Sequence, residues 1–280
     1  MSRPPARLAA RAAAWLRPAL LALATLLAVT PFAWMIATSG MDRLEVFGHP
    51  PPLWPARFRF DNYRGALTAQ PFATYFLNSA LFAALVVLGQ VATSATAGYA
   101  FARLPFRGRD RLFLLCLSTL MVPAVVVLIP RFLLVDGLGW VDTWAGLAST
   151  ELVSVWGIFL MRQSFRQVPA ELEDAARIDG AGPWRIFWSI SLPLVRPALA
   201  TLALFAFLDA WKNLLWPLIV TRSIGMRTVE VGIASFHSTY LTNWPYQMAA
   251  AVAAIGPVLL LFLFTQRFLT EGLHVTGIKG

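Results

Sequence analysis

The sequence is short of charge, of cysteine and of clustered histidine, and each shortage closes off a class of function. Only 13% of its 280 residues are charged, against 58% hydrophobic; a water-soluble domain carries about a quarter charged residues. That deficit, spread over several long apolar runs, excludes an ordinary soluble protein and implies an integral membrane protein with little mass outside the bilayer. One cysteine, Cys116, lies in an apolar run. It rules out an intrachain disulfide and reads as a small buried hydrophobe. The three histidines, His49, His237 and His274, lie far apart and make no metal-ligand spacing, so neither metal nor cofactor is expected. Gly-x-x-x-x-Gly-Lys-Ser/Thr is missing, which leaves no standard cradle for ATP phosphates. No nucleophile–base pair stands out either, so catalytic residues are not expected and the chain does not read as an enzyme.

What is present is apolar length and arginine. The formal charge is +9, but the arginines flank apolar runs and have no soluble fold to display them, which argues against nucleic acid and for a lipid bilayer. About 20 apolar residues cross the hydrocarbon core. Six stretches qualify, at about 19–39, 74–97, 112–134, 143–161, 198–220 and 248–269. They are too long and too uniformly apolar for barrel strands, so the fold class is an all-α polytopic membrane protein with six transmembrane helices. Fifteen Arg and Lys fall on the side of the two termini and seven on the other. This bias predicts both termini in the cytoplasm. The first run is longer than a signal-peptide core and reads as a retained span. The outer loop at 40–73, rich in proline and aromatics, reads as an ordered cap.

One polar stretch interrupts this pattern. Residues 162–197 form the longest loop on the cytoplasmic side, and Glu171–Pro193 within it is helix-patterned. Pro169 suits a helix start. Glu171, Glu173 and Asp174 suit the positive end of the helix dipole, and Gly180 suits a left-handed stop. A second short helix is expected over Trp184–Ser191, ended by Pro193 and Pro197. The small residues Ala175 and Ala176 would permit close approach by another protein. An amphipathic pair lying among the headgroups fits the same pattern.

The segment resembles the signature loop of permease subunits of ABC importers: Glu-Ala-Ala, three residues, Gly, nine residues, Ile, one residue, Leu-Pro. Here it runs Asp174-Ala175-Ala176, Arg177-Ile178-Asp179, Gly180, nine residues, Ile190, Ser191, Leu192-Pro193. Asp174 stands where glutamate is usual, one methylene shorter, and Glu173 beside it is a candidate to make up the reach. Asn78-Ser79, Trp211-Lys212-Asn213 with Trp216-Pro217-Leu218, Arg227-Thr228 and Gln266-Arg267-Phe268 are similar to the sugar-importer branch. The end, Gly277-Ile278-Lys279-Gly280, looks like the tail of maltose-type second permeases.

The resemblance implies a type I importer fold. It also implies three partners: a homologous second permease, a cytoplasmic ATP-binding subunit dimer and an extracytoplasmic solute-binding protein. Glu173, Asp174, Ala175, Ala176, Asp179, Gly180, Ile190, Leu192 and Pro193 would couple to the ATPase, and Gly277, Lys279 and Gly280 would reach it from the tail at 270–280. Asn78, Ser79, Gln90, Asp209, Lys212 and Asn213 are candidates for the solute path, although Asp209 and Lys212 also read as a local structural pair. An ion-coupled secondary transporter is the rival. It would favour inverted repeats and matched buried carboxylates, and neither is visible.

Overall fold

The computed structural model describes residues 5–50, 52–237 and 242–274, and among them no β-strand occurs. Helix α1 (Pro5–Ser39) runs unbroken through Pro18 and Pro31. Its side chains from Leu20 to Trp34 are all exposed among the described residues. After a 3-10 turn comes α2 (Asp61–Ala69), then the 32-residue α3 (Phe72–Arg103). Next are α4 (Arg109–Ser118), α5 (Ala124–Gly137), α6 (Trp144–Ala148) and α7 (Val155–Gln167). Two short helices follow: α8 (Ala170–Ile178) and α9 (Pro183–Ile186), the latter continued by a π turn (Phe187–Ser191) into α10 (Leu192–Leu194). The order closes with α11 (Arg196–Trp211), α12 (Leu215–Val220), α13 (Val229–Ala234) and α14 (Trp244–His274).

Three helical stretches are long and apolar enough to cross a bilayer unbroken: Pro18–Ser39, Phe72–Arg103 and Trp244–Gln266, with mean hydropathies of 2.1, 1.8 and 2.3. The other expected crossings are broken, and proline explains much of it. The run at 112–134 is not one kinked helix. Its halves meet at Val122–Pro123 with a bend of 101°. Pro123 has no N–H to continue the ladder and holds the residue before it extended; Pro130 is carried inside α5. The 143–161 run bends by 44° between Glu151 and Val155. The 198–220 run breaks at residues 212–214, between α11 and α12.

The chain divides into two compact units, Met1–Gln70 with Ile233–Ala253, and Pro71–Gly232 with Ala254–Gly280. In the first, the described residues of the proline-rich loop are tied down by side chains. Glu45 accepts the amides of Asp42 and Ala56, Asp42 pairs with Arg59 at 2.7 Å, and Asn62 donates to the carbonyls of Ser39 and Met41.

In the second unit α3 packs most extensively on α7 and α11. The approach to α7 is close because Gly98 has no side chain. A Cβ there would meet Met161 Cβ at 2.6 Å and the Arg162 amide nitrogen at 2.9 Å, the backbone proximity that small residues allow between membrane helices. Broken helices strand carbonyls that lipid cannot satisfy. Polar side chains of α3 answer this: Gln90 donates to Glu151 O at 2.9 Å and Thr93 to Leu152 O at 3.0 Å. Ser94, 0% exposed, lies beside Ser154 O at 3.5 Å. Thr93 and Ser94 therefore serve helix packing.

Candidate functional site

The polar loop folds as two short helices joined at a glycine. Pro169 precedes α8, and Glu171 and Glu173 fill its first turn. Gly180 takes φ +79, a conformation that costs other residues. Its N–H donates to Arg177 O at 3.0 Å, and the Ala181 N–H donates to Ala176 O at 2.9 Å. These two bonds close the left-handed helix end that satisfies the last carbonyls.

The second helix departs from expectation: it does not end at Ser191 but runs through Pro193 to Leu194. The π turn ahead of Pro193 widens the ladder where that residue has no N–H to give. Pro197 starts α11 rather than only stopping what precedes it. Its role is the favourable one for proline in a first turn.

One face of the loop is pinned to the second unit. Phe187 joins Tyr99, Phe165, Met161, Val195 and Leu202 in a buried apolar cluster, with the Tyr99 and Phe187 rings 5.1 Å apart. Ile186 and Ser191 are buried with it; Ile190, Leu192 and Pro193 are half-buried. The other face is open. Leu172, Asp174, Ala175, Ile178, Asp179 and Gly180 are exposed, Ala176 is half-buried, and Ile178 at 86% exposure is an apolar knob between carboxylates.

Glu173 and Asp174, adjacent in sequence, go opposite ways. Asp174 faces out and pairs with Arg177. Glu173 is 1% exposed and turned inward, where it accepts the Ser191 hydroxyl at 2.8 Å. Glu173 therefore cannot lend reach to Asp174, and that expectation is corrected. Helical geometry is the reason, since neighbouring residues sit about 100° apart around the axis.

A polar cavity of about 390 Å³ lies elsewhere in the second unit. It is lined by Gln90, Glu151, Asp209, Lys212 and Asn213 with apolar neighbours including Val86 and Leu215. Lys212 Nζ lies 3.3 Å from Asp209 Oδ1, and both side chains are largely exposed. Asn213 accepts the Trp216 amide at 3.3 Å and so starts α12 after the break. Glu151 pairs with Arg131, whose guanidinium stacks 3.6 Å over the Trp216 ring. Sequence reading passed over Arg131 and Glu151. They lie 20 residues apart, and nothing in the pattern pairs them.

Asn78 and Ser79, candidates for the solute path, sit apart from this cavity. They are 5% and 1% exposed. Asn78 Nδ2 donates to Gly225 O at 2.7 Å and Arg227 O at 2.9 Å, and Ser79 Oγ accepts the Val229 amide at 2.8 Å. Their polarity holds a loop against α3. The tail residues Gly277, Lys279 and Gly280 lie outside the described residues. No group of His, Cys, Asp and Glu among the described residues has metal-binding geometry.

Comparison with known proteins agrees with this layout. Residues 94–274 match the model for the binding-protein-dependent transport system inner membrane component. The arabinooligosaccharides transport system permease protein AraQ of Halalkalibacterium halodurans is 36% identical over 269 residues, covering 95% of this chain and 96% of that protein. The sn-glycerol-3-phosphate transport system permease protein UgpE of Yersinia pestis is 33% identical over 91% of this chain and 93% of its own length. A chain in the crystal structure of a bacterial ABC transporter involved in the import of the acidic polysaccharide alginate superposes with a TM-score of 0.81 over 95% of this chain and 98% of that one, at 23% identity, which speaks to the fold. The bent pair of short helices, its spacing kept from Asp174 to Pro193, thus lies in a stretch that the family model covers, and the chain belongs to the family of inner-membrane components of binding-protein-dependent transport systems.

Proposed function

We propose that the chain is one of two homologous permease subunits of an ABC importer for a neutral oligosaccharide, driven by a separate ATPase that grips the open face of Glu171–Pro193. The observation that carries this reading is the loop itself. Its inner face is pinned by the Tyr99–Phe187 cluster and its outer face presents Asp174, Ala175 and Ile178. Force transmission needs a stiff element with few alternative positions, not a tether. In this reading the six crossings sit near 19–39, 74–97, 112–134, 143–161, 198–220 and 248–269. Both termini, the loop at 162–197 and the tail at 270–280 face the cytoplasm, and an extracytoplasmic binding protein delivers the solute to the other side. ATP closes the ATPase dimer, the docked loops are drawn together, and the path opens outward.

The polar cavity supports a neutral cargo. Its charges are matched, Asp209 with Lys212 and Glu151 with Arg131. A phosphate or uronate would find no cation there without breaking a pair. We therefore favour the kind of solute named for AraQ over the one named for UgpE. An ion-driven secondary transporter has no comparable feature in its favour.

The test is Gly180→Asp in the complex reconstituted with its partners. At φ +79 the substitution distorts the helix junction without touching the spans. The complex is expected to assemble and to lose ATP-driven uptake. Full uptake in the assembled variant would overturn the coupling assignment, and uptake that persists without ATP but collapses with the proton gradient would overturn the importer reading. The solute is identified as the compound that raises the melting temperature of the cognate binding protein.

A further inference from the structure

We infer that the buried pair Glu173–Arg103 is a positioning joint that fixes the register between the coupling loop and the end of α3. Arg103 is the last residue of α3. Its Nε lies 3.2 Å from Glu173 Oε1, at ion-pair distance but off hydrogen-bond alignment. Its Nη2 donates to Phe165 O at 2.7 Å and to Val168 O, two carbonyls at and just beyond the end of α7. Glu173 spends its other contacts on the loop: the Ser191 hydroxyl at 2.8 Å on the π turn and Arg177 Nη2 at 3.3 Å one turn along α8. One carboxylate and one guanidinium thereby join α3, the end of α7, α8 and the π turn, with side-chain exposures of 2% and 14%.

The joint rests on the coupling role proposed above and adds what transmits the motion. The neighbouring contacts are aromatic, and apolar surfaces tolerate sliding at little cost. An ion pair in a dry site does not slide. Displacing either partner strands a buried charge, at a cost far above that of sliding an apolar contact. The same physics makes the pair a poor source of net stability against an apolar replacement. What it supplies is a single allowed position. Glu173 faces inward and touches no docking partner, so its effect passes through the placement of α8 and the π turn.

The experiment uses the reconstituted transporter carrying Glu173→Gln or Arg103→Lys. Arg103→Lys keeps the charge and loses the fork that holds both α7 carbonyls. Two quantities are read. The first is solute moved per ATP hydrolysed. A variant that merely lowers the amount of folded complex reduces both rates together and leaves the ratio alone; a loosened joint lowers the ratio, by about fivefold or more. The second is the distance distribution between spin labels at the exposed positions Ile178 on α8 and Leu88 on α3, in a Cys116→Ser background. It is expected to be narrow in the parent and broad in both variants. An unchanged ratio with an equally narrow distribution in Arg103→Lys overturns the joint, and that variant decides if Glu173→Gln does not assemble. A parent complex with no ATP-driven uptake, but with variants that still broaden the distribution, defeats the importer reading and leaves the joint standing.

Discussion

Ser79→Ala separates a structural tie from a path residue, and its size can be worked out. Ser79 is 1% exposed, and its hydroxyl oxygen is the acceptor for the Val229 N–H at 2.8 Å. Val229 is itself 0% exposed, so no water replaces the lost acceptor. Leaving a buried amide unpaired costs about 1–3 kcal/mol. A tenfold change in an equilibrium corresponds to about 1.4 kcal/mol, so local opening at this loop should become roughly 5- to 150-fold more frequent. The two Asn78 bonds to Gly225 and Arg227 remain and should confine the effect to the residues around Val229. Hydrogen exchange of the purified complex, followed in peptides covering 226–232, reads this directly, with α8 peptides as the unaffected reference. Exchange at the parent rate, together with a changed apparent affinity for the transported solute, would mean that Ser79 faces the solute after all.

Two further outcomes are expected. Gly98→Ala places a Cβ 2.6 Å from Met161 Cβ and 2.9 Å from the Arg162 amide nitrogen. Backbone must move, at about 1–3 kcal/mol for an overpacked interface, so the melting temperature of the purified complex should fall; an unchanged value would show that α3 and α7 have room to spare. Asp142 gives a pH dependence. Burial pushes its carboxyl up, but the amides of Ser223 and Arg222 and the Ser223 hydroxyl outweigh that and hold it below the ordinary carboxylate range. A lowered folded-state pKa stabilises the loop above the unfolded value near ~4 and loses that contribution as pH falls through the folded pKa. Proteolysis of the 220–224 segment by an acid-active protease should therefore accelerate below about pH 4 in the parent. Asp142→Asn keeps the acceptor oxygen but does not titrate, so it should show little change across the same window; a parallel acceleration in both proteins would remove Asp142 as the cause.

The apolar runs and the bent loop were legible because both are local. Twenty apolar residues announce a span wherever they occur, and Gly180 with three residues of spacing before it announces a helix end. The breaks were less legible. The run at 112–134 bends by 101° at Pro123, and hydropathy reports that a segment avoids water and not which way it points. Asn78 and Ser79 are path candidates because polar groups in an apolar run invite that reading, though a serine there also suits helix packing. Their partners, Gly225, Arg227 and Val229, are about 150 residues away, and no local pattern reveals them. Glu173 was misjudged for the opposite reason: adjacency in sequence suggested interchange with Asp174, whereas adjacency on a helix means different faces.

Asn78, Ser79 and, through Arg103, Glu173 all bear on α3, and they explain why so apolar a helix carries its polar residues where it does. Near its start Asn78 and Ser79 hold the 225–229 loop. In its middle Gln90 and Thr93 take up the carbonyls freed by the break before α7. At its last residue Arg103 holds the end of α7 and the coupling loop through Glu173. Each tie serves backbone that has left regular helix, where an unpaired group in a dry site has no cheap alternative. Each is therefore a position at which α3 cannot slip past its neighbour without exposing a buried polar group. Under the proposed coupling, a helix secured in this way at three levels would move as a rod, and a displacement imposed on the loop at Arg103 would reappear at the Asn78 end. Such an effect would need no chain of coupled rearrangements, only a helix with no free register.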